Sequence, residues 1–486
     1  MFTLTLIKVS YLIAALFIVN FLIALTIIFL ERKNPSATLA WIMILFLIPL
    51  VGIVLYIFLS QNIARKRIFK INKYEAEILS CAMEEQIQDM SKGSFTFSNQ
   101  SARKWIDMIR LNQNHANAFF TQDNQITIIK DGEALMASLL DDIAKATESI
   151  NVMYYIVKYD ETGRSLLQAL TEKAKEGVEV RLLLDAIGSR QISEKRLAEF
   201  KEAGGTFAFF FKPLFKLLNM KLNYRNHRKT VVIDGRIGYL GGYNIGNEYL
   251  GKVKKFGYWR DTHLRMTGSS VQDLYARFLL DWRFASKEEV AMAQAYYDQP
   301  EEVGTTGVQI VCSGPESIKE EVKQGYLKMI CSAKKNIYIQ TPYFVPDDSI
   351  MDALIMALYS GVDVRIMIPC KPDHMFVYWA TYYYVGVLVN MGAKIYIYEN
   401  GFLHAKTIAV DHEVCSVGSA NFDIRSFKLN FEVNAFIYDE QVTQELETIY
   451  EDDMKLCREL TKESYTHRPL IIKFKESVSR LLSDLL

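Results

Sequence analysis

The feature that most constrains this chain is a short motif that occurs twice: a His, a Lys two residues later, and an Asp five residues after the Lys. The six motif residues, which we predict to form the catalytic set, are His227, Lys229 and Asp234 in the first copy and His404, Lys406 and Asp411 in the second. Side chains alternate between the two faces of a β-strand, so the His and the Lys of one copy share a face. Two such strands facing each other would surround one pocket with two imidazoles and two ammonium groups.

The residues after each motif support a duplicated functional site. His227 and Asn244 are 17 residues apart, and so are His404 and Asn421. With Ser419, the two Asn residues are candidate substrate contacts. A duplicated domain in which the motif only packs would not explain a Lys in each apolar strand region, because burying an unused charge is costly.

Two His and two Lys around one pocket suit a phosphodiester. The cations would hold the phosphate, one His would attack the phosphorus, and the other would protonate the leaving oxygen. The six cysteines form no CxxC pair and no zinc spacing, so the sequence predicts neither a metal nor a cofactor and is compatible with reduced thiols. The 56 basic and 56 acidic residues cancel, which argues against a general nucleic-acid binder.

The N-terminal segment is strongly apolar in two runs, Val9–Leu30 and Leu39–Leu59. As a helix, the first run would reach about 33 Å, enough to cross a bilayer core. A cleaved signal peptide and a buried core helix are the alternatives, but a second run follows at once, so we predict a transmembrane hairpin. The five basic residues after it outnumber the two in its loop, which favours a cytoplasmic location for the rest of the chain.

The remainder of the chain contains an internal repeat. The segment Gly177–Leu184 (GVEVRLLL) is similar to Gly361–Ile368 (GVDVRIMI). Apolar strand runs alternate with segments of helical periodicity, which predicts α/β layers with buried strands and helices outside. The predicted helices include Glu133–Ala146, Arg164–Glu176, Glu316–Ala333 and Ser349–Ser360.

The first half has 11 more residues before its motif than the second, 23 from Gly204 to His227 against 12 from Gly392 to His404. The extra residues fall within 207–225, where Phe and Leu alternate with Lys. This composition suits a lipid headgroup zone. An ordinary packed loop with solvated lysines explains it equally well.

The paired motifs make the chain resemble the phospholipase D superfamily. Several segments resemble one branch, the bacterial cardiolipin synthases: ERKNPSATLAW, NYRNHRKTVVIDGRIGYLGGYNIGNEY, WRDTHLRMTG, QTPYFVPDD and HAKTIAVDHEVCSVGSANFDIRSFKLNFE. The resemblance implies two fused phospholipase D-type α/β/α sandwich domains with one active site at their interface. The implied division is a hairpin over residues 1–62, a helical linker over 63–120, and phosphodiesterase domains over 121–300 and 301–486.

The resemblance also implies an activity, the joining of two phosphatidylglycerol molecules into cardiolipin with release of glycerol and without a metal. His227 would be the nucleophile and form a phosphatidyl-histidine. His404 would protonate the departing glycerol and then accept a proton from the second lipid. The two motif Lys, with Asn244 and Asn421, would neutralise the phosphate.

Each imidazole needs a carboxylate to orient it. We expect Asp261 and Glu432, which lie 34 residues past His227 and 28 past His404, to have this role rather than the motif Asp residues. An ordinary salt bridge of Asp261 with Arg260 or Arg265 is the alternative. Gly242 stands where many superfamily members have Ser, which leaves Ser419 as the only hydroxyl of the pair.

Several alternatives remain open at this point. A phospholipase D-type hydrolase would use water in place of the second lipid, and the residues do not distinguish it from a transferase. A nuclease of the superfamily is disfavoured by the charge and the hairpin, and a non-enzymatic membrane scaffold by the two intact motifs. The sequence does not indicate the second lipid substrate or an oligomeric state. The remaining histidines are expected to be surface or core residues: His115, His263, His374, His412 and His467.

Overall fold

The computed structural model describes residues 2–31, 35–59, 68–69, 71–212, 223–296 and 303–481. The chain divides into two compact units. The first unit comprises residues 1–66 and 213–224, and the second comprises residues 67–212 and 225–486. Most of the Lys-rich stretch predicted within 207–225 lies outside the described residues, as do four of the five basic residues that follow the apolar runs.

The described residues of the first unit form three α-helices: α1 (Phe2–Thr26), α2 (Pro35–Leu47) and α3 (Pro49–Leu59). A π-helical turn extends α1, and Trp41 and Leu45 are buried in a small apolar cluster. The second apolar run is divided at Pro49, which has no backbone N–H to donate and starts a new helix. No helix within the described residues has the length and apolar character needed to span a bilayer. The structure therefore does not show the predicted transmembrane hairpin.

The segment predicted as a helical linker forms α4 (Lys73–Lys92), α5 (Gln100–Lys104) and α6 (Ile106–Ala116). The start of α4 is a capping box, in which Asn72 and Glu75 bond each other's backbone N–H groups. Buried Asn112 on α6 donates through Nδ2 to the Gln309 side chain at 3.1 Å. These helices thus pack onto the body of the second unit.

The first half of the repeat contains nine strands and four α-helices within the described residues. The strands are β1 (Thr121–Ile129), β2 (Ser149–Tyr154), β3 (Glu179–Asp185), β4 (Thr206–Phe210), β5 (Arg225–Asn226), β6 (Thr230–Ile233), β7 (Ile237–Gly241), β8 (Trp259–Arg260) and β9 (His263–Thr267). The helices are α7 (Gly132–Lys145), α8 (Glu161–Lys175), α9 (Ala198–Glu202) and α10 (Ser270–Ser286).

The second half contains eleven strands and seven helices within the described residues. The strands are β10 (Thr306–Ser313), β11 (Asn336–Gln340), β12 (Phe344–Val345), β13 (Asp363–Pro369), β14 (Lys394–Tyr398), β15 (Phe402–Leu403), β16 (Thr407–Val410), β17 (Val414–Gly418), β18 (Phe422–Asp423), β19 (Asn430–Tyr438) and β20 (Cys457–Glu459). The helices are α11 (Glu321–Ser332), α12 (Asp348–Tyr359), α13 (Met375–Asn390), α14 (Ile424–Lys428), α15 (Glu440–Met454), α16 (Lys462–Thr466) and α17 (Leu470–Leu481).

The strands confirm a mixed α/β fold with two similar halves. The first half runs in the order β4-β3-β2-β6-β7-β9, and the second repeats it as β14-β13-β11-β16-β17-β19. In each half the first three strands are parallel and the next three antiparallel. β1 and β10 pair with each other and join the halves, so one sheet of sixteen strands runs through the described part of the second unit.

Candidate active site

Each motif His follows a short strand that pairs with the opposite half. β5 lies parallel to the start of β19, and the backbone N–H of His227 donates to the carbonyl of Phe431 at 3.0 Å. β15 lies parallel to β8, and the N–H of His404 donates to the carbonyl of Arg260 at 2.7 Å. The two candidate carboxylates come directly after these acceptors, because Glu432 follows Phe431 and Asp261 follows Arg260. The backbone pairing therefore brings each His beside a carboxylate from the other half.

The pairing of imidazole and carboxylate is crossed between the halves. His227 Nδ1 lies 3.0 Å from both carboxylate oxygens of Glu432. His404 Nδ1 lies 2.6 Å from Oδ2 of Asp261. The sequence spacing had matched each carboxylate to the His of its own half, and the structure corrects that match. The salt bridges proposed as the alternative for Asp261 are also not formed, because Arg260 pairs with Asp453 and Arg265 with Asp142.

Burial sets the protonation of both imidazoles. It lowers the pKa of His227 and of His404 to about 4, against the opposing charge of the carboxylates. Burial alone would raise the pKa of Glu432 and Asp261, but the cationic groups around them outweigh it and the net direction is down. Near neutral pH, a neutral imidazole therefore donates Nδ1–H to an ionised carboxylate. Its Nε2 keeps a lone pair for a nucleophilic or basic role.

The two motif lysines are fully buried beside the imidazoles. Lys229 Nζ donates to the carbonyl of His227 at 2.5 Å, and Lys406 Nζ donates to the carbonyl of His404. Lys406 Nζ also lies 3.9 Å from the Asp261 carboxylate. Burial lowers the pKa of Lys229 well below its usual range and that of Lys406 to about 8. A phosphate anion entering the site would restore the charged form of both ammonium groups.

Both histidines line a cavity of about 650 Å³, together with Asn244 and Asn421. The Oδ1 atom of Asn244 accepts the backbone N–H of Ile156, which directs this side chain. The Asn421 side chain donates to Asp423 at 3.2 Å, and its Oδ1 atom is buried without a hydrogen-bond partner among the described residues. Amide groups fixed in this way can contact a phosphate oxygen or a substrate hydroxyl.

Ser419, predicted from the sequence as a substrate contact, lies behind the site. It is fully buried, and its hydroxyl donates to Oε2 of Glu432 at 2.5 Å. Asn430 donates to the other oxygen at 3.1 Å. These two bonds hold the Glu432 carboxylate towards His227. Ser419 is thus a positioning residue, because the carboxylate it holds stands between it and the imidazole.

The equivalent position in the first half is Gly242, and its lack of a side chain makes room for Asp261. A Cβ atom at Gly242 would lie 2.0 Å from Oδ1 of Asp261, closer than any non-bonded contact allows. Asp is one methylene shorter than Glu, so its carboxylate lies closer to its own strand and occupies the space where Ser419 stands in the other half. In the first half, Gly242 and Asp261 therefore occupy the positions that Ser419 and Glu432 occupy in the second half.

Replacing Gly242 by Ala should displace the Asp261 carboxylate and misalign His404. We expect the rate of the catalysed reaction to fall about 10²-fold, the effect of an ångström-scale misplacement. Initial rates should be compared with the thermal unfolding midpoint, which we expect to change little because Asp261 can move towards Lys406. A rate within threefold of the unmodified protein would contradict this role of Gly242.

The two motif Asp residues lie outside the cavity, at the far end of the strands that follow the histidines. Asp234 accepts the backbone N–H groups of residues 147–149, and Asp411 accepts those of residues 334–336. Each carboxylate thus fixes the start of β2 or β11. Each Asp comes seven residues after its His, a separation of roughly 23 Å in an extended chain. The structure therefore gives both Asp residues a structural position instead of the catalytic one predicted.

The cavity wall also contains residues outside the predicted site. His374, expected to be a surface or core residue, is exposed at this wall, and Tyr343 beside it donates its hydroxyl to Asp373. Arg225 and Arg425 line the cavity as well. Arg225 could have been found, because it precedes His227 by two residues and shares its strand face. Arg425 lies on a helix after the second motif, and nothing in its spacing indicates the cavity.

A repeated α/β fold that places two His at one cavity, each held by a carboxylate of the opposite half and each with a buried Lys beside it, defines an enzyme of the phospholipase D superfamily. The sequence model described as "Cardiolipin synthase, PLD-like domain" matches residues 139–255 and 326–454, and the model "Phospholipase_D-nuclease N-terminal" matches residues 18–61. The chain belongs to this cardiolipin synthase family.

Full-length relatives agree with this assignment. The chain is 48% identical to the major cardiolipin synthase ClsA of Bacillus subtilis, over 98% of this chain and 99% of the relative. It is also 48% identical to a cardiolipin synthase of Staphylococcus aureus, over 97% and 95% of the two chains. The fold resembles phosphatidylserine synthase of Haemophilus influenzae, with a TM-score of 0.61 and 16% identity over 78% of this chain and 100% of that one.

Proposed function

We propose that this enzyme condenses two phosphatidylglycerol molecules into cardiolipin and glycerol. The observation that carries the proposal is the crossed pair of carboxylate-held imidazoles, with a buried Lys beside each, in one cavity. The similarity to cardiolipin synthases over nearly the whole chain supports phosphatidylglycerol as the substrate. In this proposal the catalytic residues are His227, Lys229, His404 and Lys406, with Asn244 and Asn421 as substrate contacts.

In the first step, His227 Nε2 attacks the phosphorus of the first phosphatidylglycerol. The P–N bond forms, the P–O bond to the terminal glycerol breaks, and His404 gives its proton to the departing oxygen. His404 takes up that proton from water as the substrate binds, because a phosphodiester anion beside it favours the imidazolium form. Lys229 and Lys406 offset the charge that develops on the phosphoryl oxygens.

In the second step, a primary hydroxyl of another phosphatidylglycerol enters the place that glycerol left. His404 accepts its proton, the new P–O bond forms, and the P–N bond to His227 breaks. The products are cardiolipin and the original neutral His227. Glu432 and Asp261 hold the two rings through Nδ1 in both steps, so each Nε2 stays directed at the phosphorus or at the exchanging oxygen.

The decisive experiment is lipid analysis after purified protein is incubated with phosphatidylglycerol in vesicles and in excess chelator. We expect cardiolipin and free glycerol in equal amounts. Phosphatidic acid as the main product would show a hydrolase in place of a transferase. Loss of activity in chelator, restored by a divalent ion, would overturn the metal-free mechanism.

The rate should depend on pH through the two histidines and Lys406. Below about pH 4 the nucleophile His227 is protonated, so kcat/KM should fall as the pH drops below that value. Above about pH 4 the free enzyme must take up the His404 proton on binding substrate, so kcat/KM should decline as the pH rises, and more steeply above about pH 8, where Lys406 loses its proton. Initial rates from roughly pH 3 to pH 10 test both limbs. Lys406→Arg, which stays charged, should remove the steeper decline, and an unchanged decline would assign it to another group.

We also propose that the apolar N-terminal segment holds the protein at the cell membrane as a two-pass hairpin, with the catalytic part on the cytoplasmic side. The support is the pair of apolar runs in the sequence and the family match at residues 18–61. Removing residues 1–65 should release the protein from membranes in high salt, while activity on detergent-dispersed lipid is retained. A truncated protein that stays with the membrane fraction would reveal another anchor.

A further inference from the structure

The helix α17 exposes its apolar side and buries its polar side. Glu476 and Ser479 are buried, and the Glu476 carboxylate accepts Nε and Nη2 of Arg468 at 2.9 and 2.7 Å. A surface helix of a globular protein normally has the opposite arrangement, with apolar residues inward. The large apolar side chains that point outward have exposed fractions of 82% for Leu470, 59% for Ile471, 65% for Phe474 and 73% for Leu481.

The outward apolar residues form one stripe with basic residues at its edges. With about 3.6 residues per turn, Leu470, Phe474 and Leu481 fall within about 40° of one another around the helix. Lys475 borders the stripe on one side and Lys473 on the other. The single carboxylate of this helix is the buried one, which is already paired. The exposed side of α17 is therefore apolar with basic edges and has no acidic residue.

α17 lies alongside α13, the helix that begins at the cavity. The Lys475 ammonium lies 5.0 Å from the ring centre of Trp379, and the Arg480 guanidinium lies 5.2 Å from that of Tyr383. Five residues along α17 thus correspond to four residues along α13. The two helices therefore run in the same direction, and their first turns lie at the same end of the pair.

The start of α13 belongs to the rim of the cavity. Met375 and Phe376 line the cavity that the two histidines line, and both side chains are more than half exposed. The contact at Trp379 places them beside the first turn of α17, where Leu470 and Ile471 are exposed. The cavity rim and the stripe thus form one exposed apolar surface, which we call the rim face: Met375, Phe376, Leu470, Ile471, Phe474 and Leu481.

An anionic bilayer surface fits the rim face better than a protein surface does. Apolar side chains can enter the boundary between headgroups and acyl chains, and lysines at the edges can reach the lipid phosphates. α13 has no charged residue, and the charges of Lys371 and Asp373 just before it cancel, so the basic edges of α17 are not offset there. The proposed substrate is itself an anionic phospholipid, which must leave a bilayer to reach the cavity.

We propose that the rim face binds the surface of an anionic bilayer and presents the mouth of the cavity to it. The inference rests on the proposed action on phosphatidylglycerol and adds the route by which a lipid reaches the histidines. A single helix of 12 residues binds a bilayer reversibly, so the N-terminal segment remains the anchor. A lipid then moves past Met375 and Phe376 into the cavity without exposing its acyl chains to water.

Photocrosslinking tests the contact directly and does not depend on catalysis. The full-length protein is reconstituted in phosphatidylglycerol vesicles with a photoreactive analogue in place of Phe474. The control carries the analogue in place of Ile318, which is 70% exposed and lies outside the rim face. We expect crosslinks to lipid from position 474 and none from position 318. Crosslinks from position 474 to a second copy of the chain, or no lipid crosslink there, would overturn the proposal.

The kinetic test compares two physical forms of the same substrate. We expect Phe474→Glu and Leu470→Glu each to lower the rate on phosphatidylglycerol vesicles by about 10-fold, the effect of removing one large apolar side chain from the lipid. Rates on short-chain phosphatidylglycerol below its micelle concentration should not change, because no bilayer takes part. Ile318→Glu, the matched control, should behave as the unmodified protein on both forms. Unchanged rates on vesicles, or equal losses on both forms in both variants, would contradict the proposal.

Failure of the proposed function would give a different result. An unmodified protein that forms no cardiolipin from either form of phosphatidylglycerol would overturn the proposed transfer. The lipid crosslink at position 474 would still decide whether the rim face contacts the bilayer.

Discussion

His227→Ala should form no covalent phosphatidyl-enzyme, whereas His404→Ala should accumulate one. Without the His227 imidazole there is no nucleophile, so the reaction stops before any bond to phosphorus forms. Without His404 the nucleophile remains, but the acid for the departing glycerol and the base for the incoming hydroxyl are both lost. Loss of a positioned proton donor costs about 10²- to 10⁴-fold. Both variants should therefore be nearly inactive, for different reasons.

The measurement is protein-bound label after incubation with phosphatidylglycerol labelled in the phosphatidyl group. Label on His404→Ala should be released by acid, as expected of a phosphoramidate bond, and should remain in base. His412→Ala is a suitable control, because His412 lies outside the cavity and pairs with Glu447. Label trapped on His227→Ala instead would reverse the assignment of nucleophile and acid.

Replacing either carboxylate that holds a His should also lower the rate strongly. The two replacements should differ in the amount of trapped label, as the two His replacements do. We expect Glu432→Gln and Asp261→Asn each to lower the rate on the order of 10³- to 10⁴-fold, the cost of losing the carboxylate that fixes a catalytic imidazole. Because Asp261 holds His404, Asp261→Asn should accumulate label as His404→Ala does. Because Glu432 holds His227, Glu432→Gln should accumulate little or none.

The difference in trapped label between Asp261→Asn and Glu432→Gln tests whether each carboxylate holds the His of the opposite half. If each carboxylate served the His of its own half, Glu432→Gln would trap the label and Asp261→Asn would not. Asp234→Asn is the matched control, since this motif carboxylate bonds backbone N–H groups at the other end of β6. This variant should show the labelling behaviour of the unmodified protein. Label that accumulates on Asp234→Asn would indicate that the motif Asp has a catalytic role.

Regular secondary structure was predictable where local periodicity and end signals agree. The predicted helices Glu133–Ala146 and Ser349–Ser360 correspond to α7 and α12, each shifted by one residue, and an Asp directly before each helix caps it. The prediction for α8 began three residues late, because Asp160 caps it earlier. The prediction for α11 began five residues early, at Glu316 rather than Glu321, because the helical spacing of apolar residues continues backwards into a turn.

The candidate site was predictable in its composition but only partly in its geometry. The repeated spacing identified both histidines, both lysines and the two Asn, because residues of one motif lie on one strand or in the turn after it. It misplaced Ser419, which holds Glu432 instead of lining the cavity, and it missed Arg425. Those positions depend on side chains that meet across β17, β19 and α14, which spacing along one segment does not encode.

The sequence by itself determined the duplicated α/β architecture and the kinds of groups that meet at the candidate site. The tertiary structure decided which carboxylate holds which imidazole. That choice follows from the pairing of β5 with β19 and of β8 with β15, between segments more than 140 residues apart. The physical reason is that strand periodicity fixes the face on which a side chain lies, whereas its partner depends on which distant strand lies beside it.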